Sequence, residues 1–198
     1  MNQKTAMKLF GLLGLLMLLS CGYADRHRNS SLCEQALVDS LEVRVQDSLF
    51  SNVHYSRSQL LEALTQTQDS LVYYRLLALY GKTFFVSSDF DSILYYNRRV
   101  KEFSRNASQS SESLQSPRWN DVLSDVYNIE GNVWMQLNRP DSAIIDYKKA
   151  YGYRLEGKKL HLLPDICINI ADAYLHRSDL AHTASYYRRA LFLCDSLN

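Results

Sequence analysis

Proline and glycine are scarce in this 198-residue sequence, with three and seven residues respectively. No segment alternates apolar and polar side chains with a period of two, so we expect no β-sheet. Long apolar runs are also missing: the run from Leu9 to Leu19 has eleven residues, whereas a membrane-spanning helix needs roughly 20. That run is therefore too short to span a bilayer alone.

Motifs that carry common chemistry are absent as well. The sequence after residue 21 contains no phosphate-binding loop, no HExxH helix and no paired CxxC. Its five histidines do not fall at ligand spacing on one helical face, so we predict no metal site and no cofactor. Serine, histidine and aspartate belong to no nucleophile motif. Together these absences predict a protein that is not an enzyme.

The N-terminal residues have the layout of a signal peptide. Two lysines and no acid stand in residues 1–8, the apolar run follows, and a serine precedes Cys21. The junction LLSC resembles the lipobox of bacterial lipoproteins. The resemblance implies that residues 1–20 are removed and that Cys21 carries the lipid anchor. An ordinary secretory peptide, cleaved after another small residue, is the alternative.

The residues after Cys21 bear on location. Lipoproteins that are retained at the inner membrane carry an aspartate after the lipidated cysteine, and this chain has Gly22 there. By the same resemblance, we expect the protein to be anchored in the outer membrane. Residues 23–28 lack the acidic tract that marks surface export in Bacteroidetes lipoproteins, which favours the periplasmic face. Residues 21–30 then form the lipidated cysteine and a polar tether.

The remaining charges and cysteines argue against a nucleic-acid-binding protein and against a disulfide-rich one. Without Lys4 and Lys8, 20 of the 22 basic residues remain against 21 acidic residues. Such a balance lacks the concentrated basic face of nucleic-acid binding proteins, so we expect no nucleic-acid partner. Three cysteines remain, Cys33, Cys167 and Cys194. Because each lies in a helical pattern, buried thiols are favoured, with one disulfide as the alternative.

Helical periodicity dominates from residue 31 onward. Capping boxes at Ser31 and Ser56 predict helices over about residues 32–49 and 57–65. Further helix starts are expected at Asp69, Asp89, Pro117, Pro140, Pro164 and Asp179, and a C-terminal glycine at Gly157. The serine-rich residues 104–116 predict a loop.

Three pairs of these helices share one residue spacing, with small and aromatic residues at matching positions. The expected packing residues are Gly81, Phe84, Gly131, Trp134, Ala143, Tyr147, Ala150, Ala171, Tyr174, Tyr187 and Ala190. The pattern resembles the tetratricopeptide repeat (TPR), as found in periplasmic Bacteroidetes proteins. The resemblance implies an all-α antiparallel helix-hairpin solenoid with a right-handed superhelix. Its units would be residues 69–103, the weakest match, 117–157 and 163–198, after N-terminal helices over 31–68 that form a degenerate repeat or a cap.

The match to the family is incomplete. Asn97 stands where the first unit should have its second aromatic residue. Gly81 and Gly131 are 50 residues apart, and Gly131 and Ala171 are 40 apart, against about 34 in the family. The excess falls between the units, so hairpin geometry should survive. An irregular helical bundle is the alternative fold.

The resemblance also implies a binding groove, because first helices form the concave wall in this family. The expected groove residues are Lys82, Phe85, Asn128, Asn132, Met135, Gln136, Asp172, Leu175 and His176. Asn132 matches the asparagine of the carboxylate-clamp subgroup, but the basic residues of that clamp are missing from these positions. We therefore predict an anchored adaptor that binds another protein as a peptide or a helix.

The alternative function is the N-terminal sensor segment of a longer signalling or transcriptional regulator. The last helical pattern stays apolar up to Leu197, without the polar capping helix that ends most solenoids. The alternative predicts that a transmembrane helix and an output domain follow.

An Asp-Ser-aliphatic triplet recurs along the chain. It resembles the O-glycosylation acceptor of periplasmic Bacteroidetes proteins, which implies sites at Ser40, Ser48, Ser70, Ser92, Ser142 and Ser196. The alternative account is helix capping, since Asp and Ser both favour first turns.

Overall fold

The computed structural model describes residues 36, 38–45, 51–107 and 116–197, and these residues form helices joined by turns, with none in a strand. The helices are α1 over residues 38–45, α2 Val53–Gln66, α3 Ser70–Lys82, α4 Phe90–Ala107, α5 Pro117–Gln136, α6 Pro140–Leu155, α7 Leu163–His176 and α8 Leu180–Leu197. Two 3₁₀ turns, Thr83–Phe85 and Leu160–Leu162, lie between them. The predicted all-α class is confirmed for the described residues.

The pairs α3–α4, α5–α6 and α7–α8 turn through the same backbone geometry. Ser88, Asn138 and Ser178 each adopt a left-handed conformation, with φ of 53°, 55° and 59°. After Asn138, the Arg139 amide donates back to the Trp134 carbonyl at 2.8 Å, which is the Schellman pattern of a helix end. The other two turns make the equivalent bond. The described residues therefore contain three hairpins of one design.

Close packing inside the hairpins depends on a small residue in the first helix. A Cβ atom added to Gly131 would lie 2.3 Å from the Tyr147 ring, so this approach requires glycine. The Tyr147 hydroxyl donates to Asn132 Oδ1 at 2.7 Å. In the last hairpin the Tyr187 hydroxyl donates to Asp172 over the same separation of 15 residues. Gly131 and Tyr147 are therefore in contact inside the α5–α6 hairpin.

The first hairpin replaces the second aromatic residue by a buried amide. A Cβ atom on Gly81 would meet the Cβ of Tyr96 at 2.9 Å. The neighbouring Asn97 is fully buried, and its side-chain amide donates to the Val126 carbonyl of α5 at 3.1 Å. Asn97 thus joins this hairpin to the next one.

Burial of the other expected packing residues follows the repeat. Phe84, Trp134 and Tyr187 are half-buried, and the buried members are Gly81, Gly131, Ala143, Tyr147, Ala150, Ala171, Tyr174 and Ala190. These residues therefore lie in the interior of the hairpins or at the edge of that interior, which is where the repeat spacing would place packing residues.

Several helix starts agree with the sequence. The Asp69 carboxylate accepts from the Leu71 amide at 2.8 Å, and Ser116 Oγ accepts from the Trp119 amide at 3.2 Å. Such caps satisfy first-turn amides that lack a partner within the helix. Pro117 is the first residue of its helix, as expected for a residue without an amide proton.

Two predicted helix limits are wrong. Asn52 caps α2, accepting from the Tyr55 amide at 3.1 Å, so Ser56 is a buried residue inside that helix. Helix α4 continues through residues 104–107, where a loop was expected. Ser104 Oγ accepts from the Trp119 indole at 3.1 Å, which holds the end of α4 against α5. A local cap at Asn52 thus starts α2 earlier than predicted, and a tertiary contact at Ser104 extends α4.

The hairpins stack with their first helices side by side. Helix α3 contacts α5, and α5 contacts α7, while the second helices α4 and α6 pack against the following first helix. Asn169 Nδ2 donates to Asn128 Oδ1 at 3.0 Å across the α5–α7 contact. The first helices therefore form one common face.

The described cysteines differ in environment. Cys167 is buried and free, and burial raises the pKa of its thiol to about 11. Cys194 is exposed and free, so its predicted burial is wrong. It lies on α8 near Leu191 and Phe192, which are 67% and 69% exposed. Cys33 lies outside the described residues.

Tyr147 should make stability depend on alkaline pH. Burial raises the pKa of its hydroxyl well above the ordinary value of 10, so above about pH 10 the folded chain binds more protons than the unfolded chain. The free energy of unfolding should therefore fall as the pH rises. We expect Tyr147→Phe to reduce this fall in urea titrations at about pH 8 and about pH 11. An equal fall in the free energy of unfolding in wild-type and Tyr147→Phe proteins would show that Tyr147 is not the source of the pH dependence.

Candidate partner-binding site

A cavity of about 410 Å³ opens on the face formed by the first helices. Its walls come from α1, α3, α4, α5 and the segment that joins α6 to α7. The lining residues are Val38, Asp39, Glu42, Val43, Arg75, Ala78, Leu79, Lys82, Asn97, Arg118, Asp121, Val122, Asp125, Val126, Ile129, Lys158, Lys159, His161 and Leu162.

Helical spacing brings these side chains to one place. The residues from α3 are Arg75, Ala78, Leu79 and Lys82, which follow the i, i+3, i+4, i+7 pattern of a single helix face. The α5 residues Arg118, Asp121, Val122, Asp125, Val126 and Ile129 continue the same pattern over three turns. Two neighbouring first helices thus present matching faces to the cavity.

An apolar floor lines part of the cavity, beside the buried polar side chains of Arg75, Asn97 and Asp121. Val126 is 1% exposed and Ile129 is 8% exposed, and both belong to the core between hairpins. The half-buried side chains of Ala78, Leu79 and Val122 adjoin them. A floor of this kind can contact apolar side chains of a ligand, while the rim selects by charge.

Arg154 supports the rim from below. The side chain is 1% exposed, and its Nη1 donates to Asp121 Oδ1 at 2.8 Å. Its Nη2 pairs with Asp125, one turn further along α5. One buried guanidinium of α6 thus pairs with two cavity carboxylates, of which Asp121 is the one that would be costly to bury alone.

Asp121 also fixes the segment between α6 and α7. Its carboxylate accepts from the Lys158 and Lys159 amides at 3.0 and 3.2 Å. A Cβ atom on Gly157 would lie 2.2 Å from Asp121 Oδ1. Gly157 follows the end of α6, as the sequence predicts for a C-terminal glycine, yet no glycine of the described residues has a positive φ. Because Gly157 has no side chain, it leaves room for the Asp121 carboxylate.

Helix α1 closes the cavity on the other side. Asp39 lies between two arginines, with Oδ1 2.7 Å from Arg75 Nη2 and Oδ2 3.2 Å from Arg118 Nη2. Glu42 pairs with Lys159 across a sequence separation of 117 residues. These contacts hold α1 against both α3 and the segment after α6.

The residues expected to form a groove are only partly brought together. Lys82 lines the cavity. Asn132 and Asp172 accept bonds from the tyrosines of their own hairpins, and Asn128 accepts from Asn169. Phe85 packs beside Phe90, Met135 is half-buried, and Gln136, Leu175 and His176 are exposed. Their role in binding stays a prediction.

The sequence did carry a signal for the cavity. Charged residues at Arg118, Asp121 and Asp125 recur on one face of α5 together with valines, which is unusual for a surface that only contacts water. That pattern alone did not indicate which elements would face it, because α1 and residues 157–162 are distant in sequence.

The proposed modification sites differ in access. Ser40, Ser70 and Ser196 are exposed, whereas Ser92 and Ser142 are half-buried. Ser92 Oγ donates to Asp89 at 2.7 Å, as in an ordinary helix cap. Cys21 and Ser48 lie outside the described residues.

No family model and no curated protein matches this chain. None of the helices in the described part combines the length and apolar character of a membrane span. Within the same residues, His, Cys, Asp and Glu side chains form no group of three that could hold a metal ion.

Proposed function

We propose that this protein is a TPR-like adaptor, lipid-anchored through Cys21 at the outer membrane and facing the periplasm, that binds another protein on the face of its first helices. The cavity walled by α1, α3 and α5 carries the proposal, because it combines an apolar floor with a charged rim. Repeat proteins use such concave faces for extended partners.

The hairpin geometry supports the comparison with TPR proteins. Three turns share a left-handed residue and a Schellman bond at equivalent positions. Two of the three hairpins share a tyrosine hydroxyl bond over 15 residues. Repeated local geometry of this kind favours a solenoid over an irregular bundle, since a bundle has no reason to reuse one turn.

A capture experiment tests the binding role. Val43 on the cavity rim and Ile145 on α6 are 59% and 57% exposed, and Ile145 does not line the cavity. We expect Val43→Arg to lose the partner captured by wild-type protein from solubilised envelopes, and Ile145→Arg to retain it. The pair Asn132→Ala and Met135→Ala tests the groove predicted from sequence. Equal capture by all four proteins would refute binding at this face.

The anchor has a separate test. Cys21→Ala should move the protein from the membrane fraction to the soluble extract, because the acylated residue is replaced by one that cannot carry lipid. Val43→Arg should remain in the membrane fraction as the matched control. A Cys21→Ala protein that still sediments with membranes would disprove lipidation as the anchor.

A sensor segment of a longer regulator is the second proposal. The exposed apolar residues Leu191 and Phe192 favour it, because a further helical segment could cover them. The genomic sequence downstream of Asn198 distinguishes the two proposals. An in-frame transmembrane helix and output domain there would favour the sensor and contradict the adaptor.

A further inference from the structure

The charges around the cavity are not fully balanced. Five basic and four acidic side chains line it. The four carboxylates all have basic partners, which are Arg75, Arg118, Arg154 and Lys159. Among the described residues, the ammonium groups of Lys82 and Lys158 have no acidic partner. The rim therefore carries positive charge available to a ligand.

Arg75 adds a second observation. Its side chain is 5% exposed, Nη2 pairs with Asp39, and Nη1 has no hydrogen-bond partner in the described part of the chain. Buried N–H groups are rarely left without an acceptor. A charged donor of this kind in the cavity wall favours a ligand that supplies oxygen acceptors.

The spacing of the cations indicates the size of the ligand. Lys82 lies seven residues after Arg75 on α3, which is about 10 Å along the helix axis at about 1.5 Å per residue. Two carboxylates, one at each position, are therefore better matched by an extended chain than by one small anion. An extended chain rises about 3.3 Å per residue, so a segment of about four residues spans this distance. The apolar floor lies between the two positions.

We propose that the cavity binds an acidic peptide segment of a partner protein, with its carboxylates toward Arg75, Lys82 and Lys158 and its apolar side chains on the floor. The inference rests on the proposed function, since it names the class of partner for the same face. Side-chain carboxylates spread along the segment match the separated cations better than one terminal carboxylate does.

Glu42 competes with this ligand. It pairs with Lys159, one residue from Lys158, and so occupies a cation on the same side of the cavity. An incoming carboxylate that takes Lys159 must displace Glu42. Removing the charge at Glu42 should therefore tighten binding of an acidic peptide, whereas loss of a pair that only holds α1 in place should weaken it.

Selection from a random library of about ten-residue peptides tests the inference with the full-length, detergent-solubilised protein. We expect the selected peptides to carry two or more Asp or Glu residues. Fluorescence anisotropy should show that Lys82→Gln with Lys158→Gln weakens binding at least about tenfold, and that Glu42→Gln tightens it severalfold. The control, Arg98→Gln with Arg188→Gln, removes two positive charges from exposed positions outside the cavity and should change affinity less than about twofold.

The outcomes separate the two proposals. Neutral or basic peptides whose binding is lost in Val43→Arg would overturn the acidic ligand and leave the adaptor intact. Selection of no peptide by wild-type protein would overturn both. Equal weakening by the cavity variant and the control, or displacement of the peptide by millimolar free glutamate, would overturn the extended site. Unchanged or weaker binding in Glu42→Gln would overturn the competition.

Discussion

Gly131→Ala should destabilise the protein, although alanine is the better helix former. The added methyl would lie 2.3 Å from the ring of Tyr147, whose side chain is 2% exposed and is held by Asn132. Because neither helix can move apart without opening the hairpin, we expect the free energy of unfolding to fall by roughly 1–3 kcal/mol in urea titrations.

Gly152→Ala is the matched control for this prediction. It lies in α6, and a Cβ atom added there meets nothing within 4 Å. The same substitution should therefore raise the free energy of unfolding by about 0.5–1 kcal/mol, which is the gain in helix propensity. Equal stabilisation at both glycines would show that the α5–α6 contact is looser than described.

Arg154→Ala should have the larger effect. Arg154 is the buried partner of Asp121 and Asp125, and Asp121 is itself 4% exposed. Removing the guanidinium leaves a carboxylate buried without a counter-charge, and such losses cost about 3–5 kcal/mol. We expect that decrease in the free energy of unfolding by urea, together with disorder of the segment that Asp121 holds.

An exposed ion pair provides the comparison for Arg154. Arg177 Nη1 lies 2.9 Å from Asp141 Oδ1, and the two side chains are 44% and 75% exposed. Arg177→Ala should change the free energy of unfolding by no more than about 1 kcal/mol, because solvent screens such pairs. If the two alanine variants unfold alike, the buried network does not contribute as proposed.

The hairpins could be predicted because their signals are local. The small residue at Gly131 and the aromatic residue at Tyr147 are fixed by the turn between them, so their spacing alone indicates that they meet. The same holds for the caps at Asp69 and Ser116, where one side chain satisfies an amide two or three residues away.

The cavity could not be predicted because its contacts are distant. Glu42 and Lys159 are separated by 117 residues, and only the packing of α1 across the stack brings them together. Of the basic residues that line the cavity, only Lys82 stands at an expected groove position, whereas Arg75, Arg118, Lys158 and Lys159 lie elsewhere in the sequence. The predicted end of α4 is wrong for the same reason, because Ser104 accepts a hydrogen bond from the indole of Trp119 in the next helix.

Site-specific photo-crosslinking in living cells tests most directly whether this cavity is the partner site. A photoreactive phenylalanine analogue at position 43 would lie on the cavity rim, and the same analogue at position 145 would lie on α6, at almost equal exposures of 59% and 57%. We predict one discrete crosslinked partner from Val43 and none from Ile145. A partner crosslinked from Ile145, with none from Val43, would contradict the account.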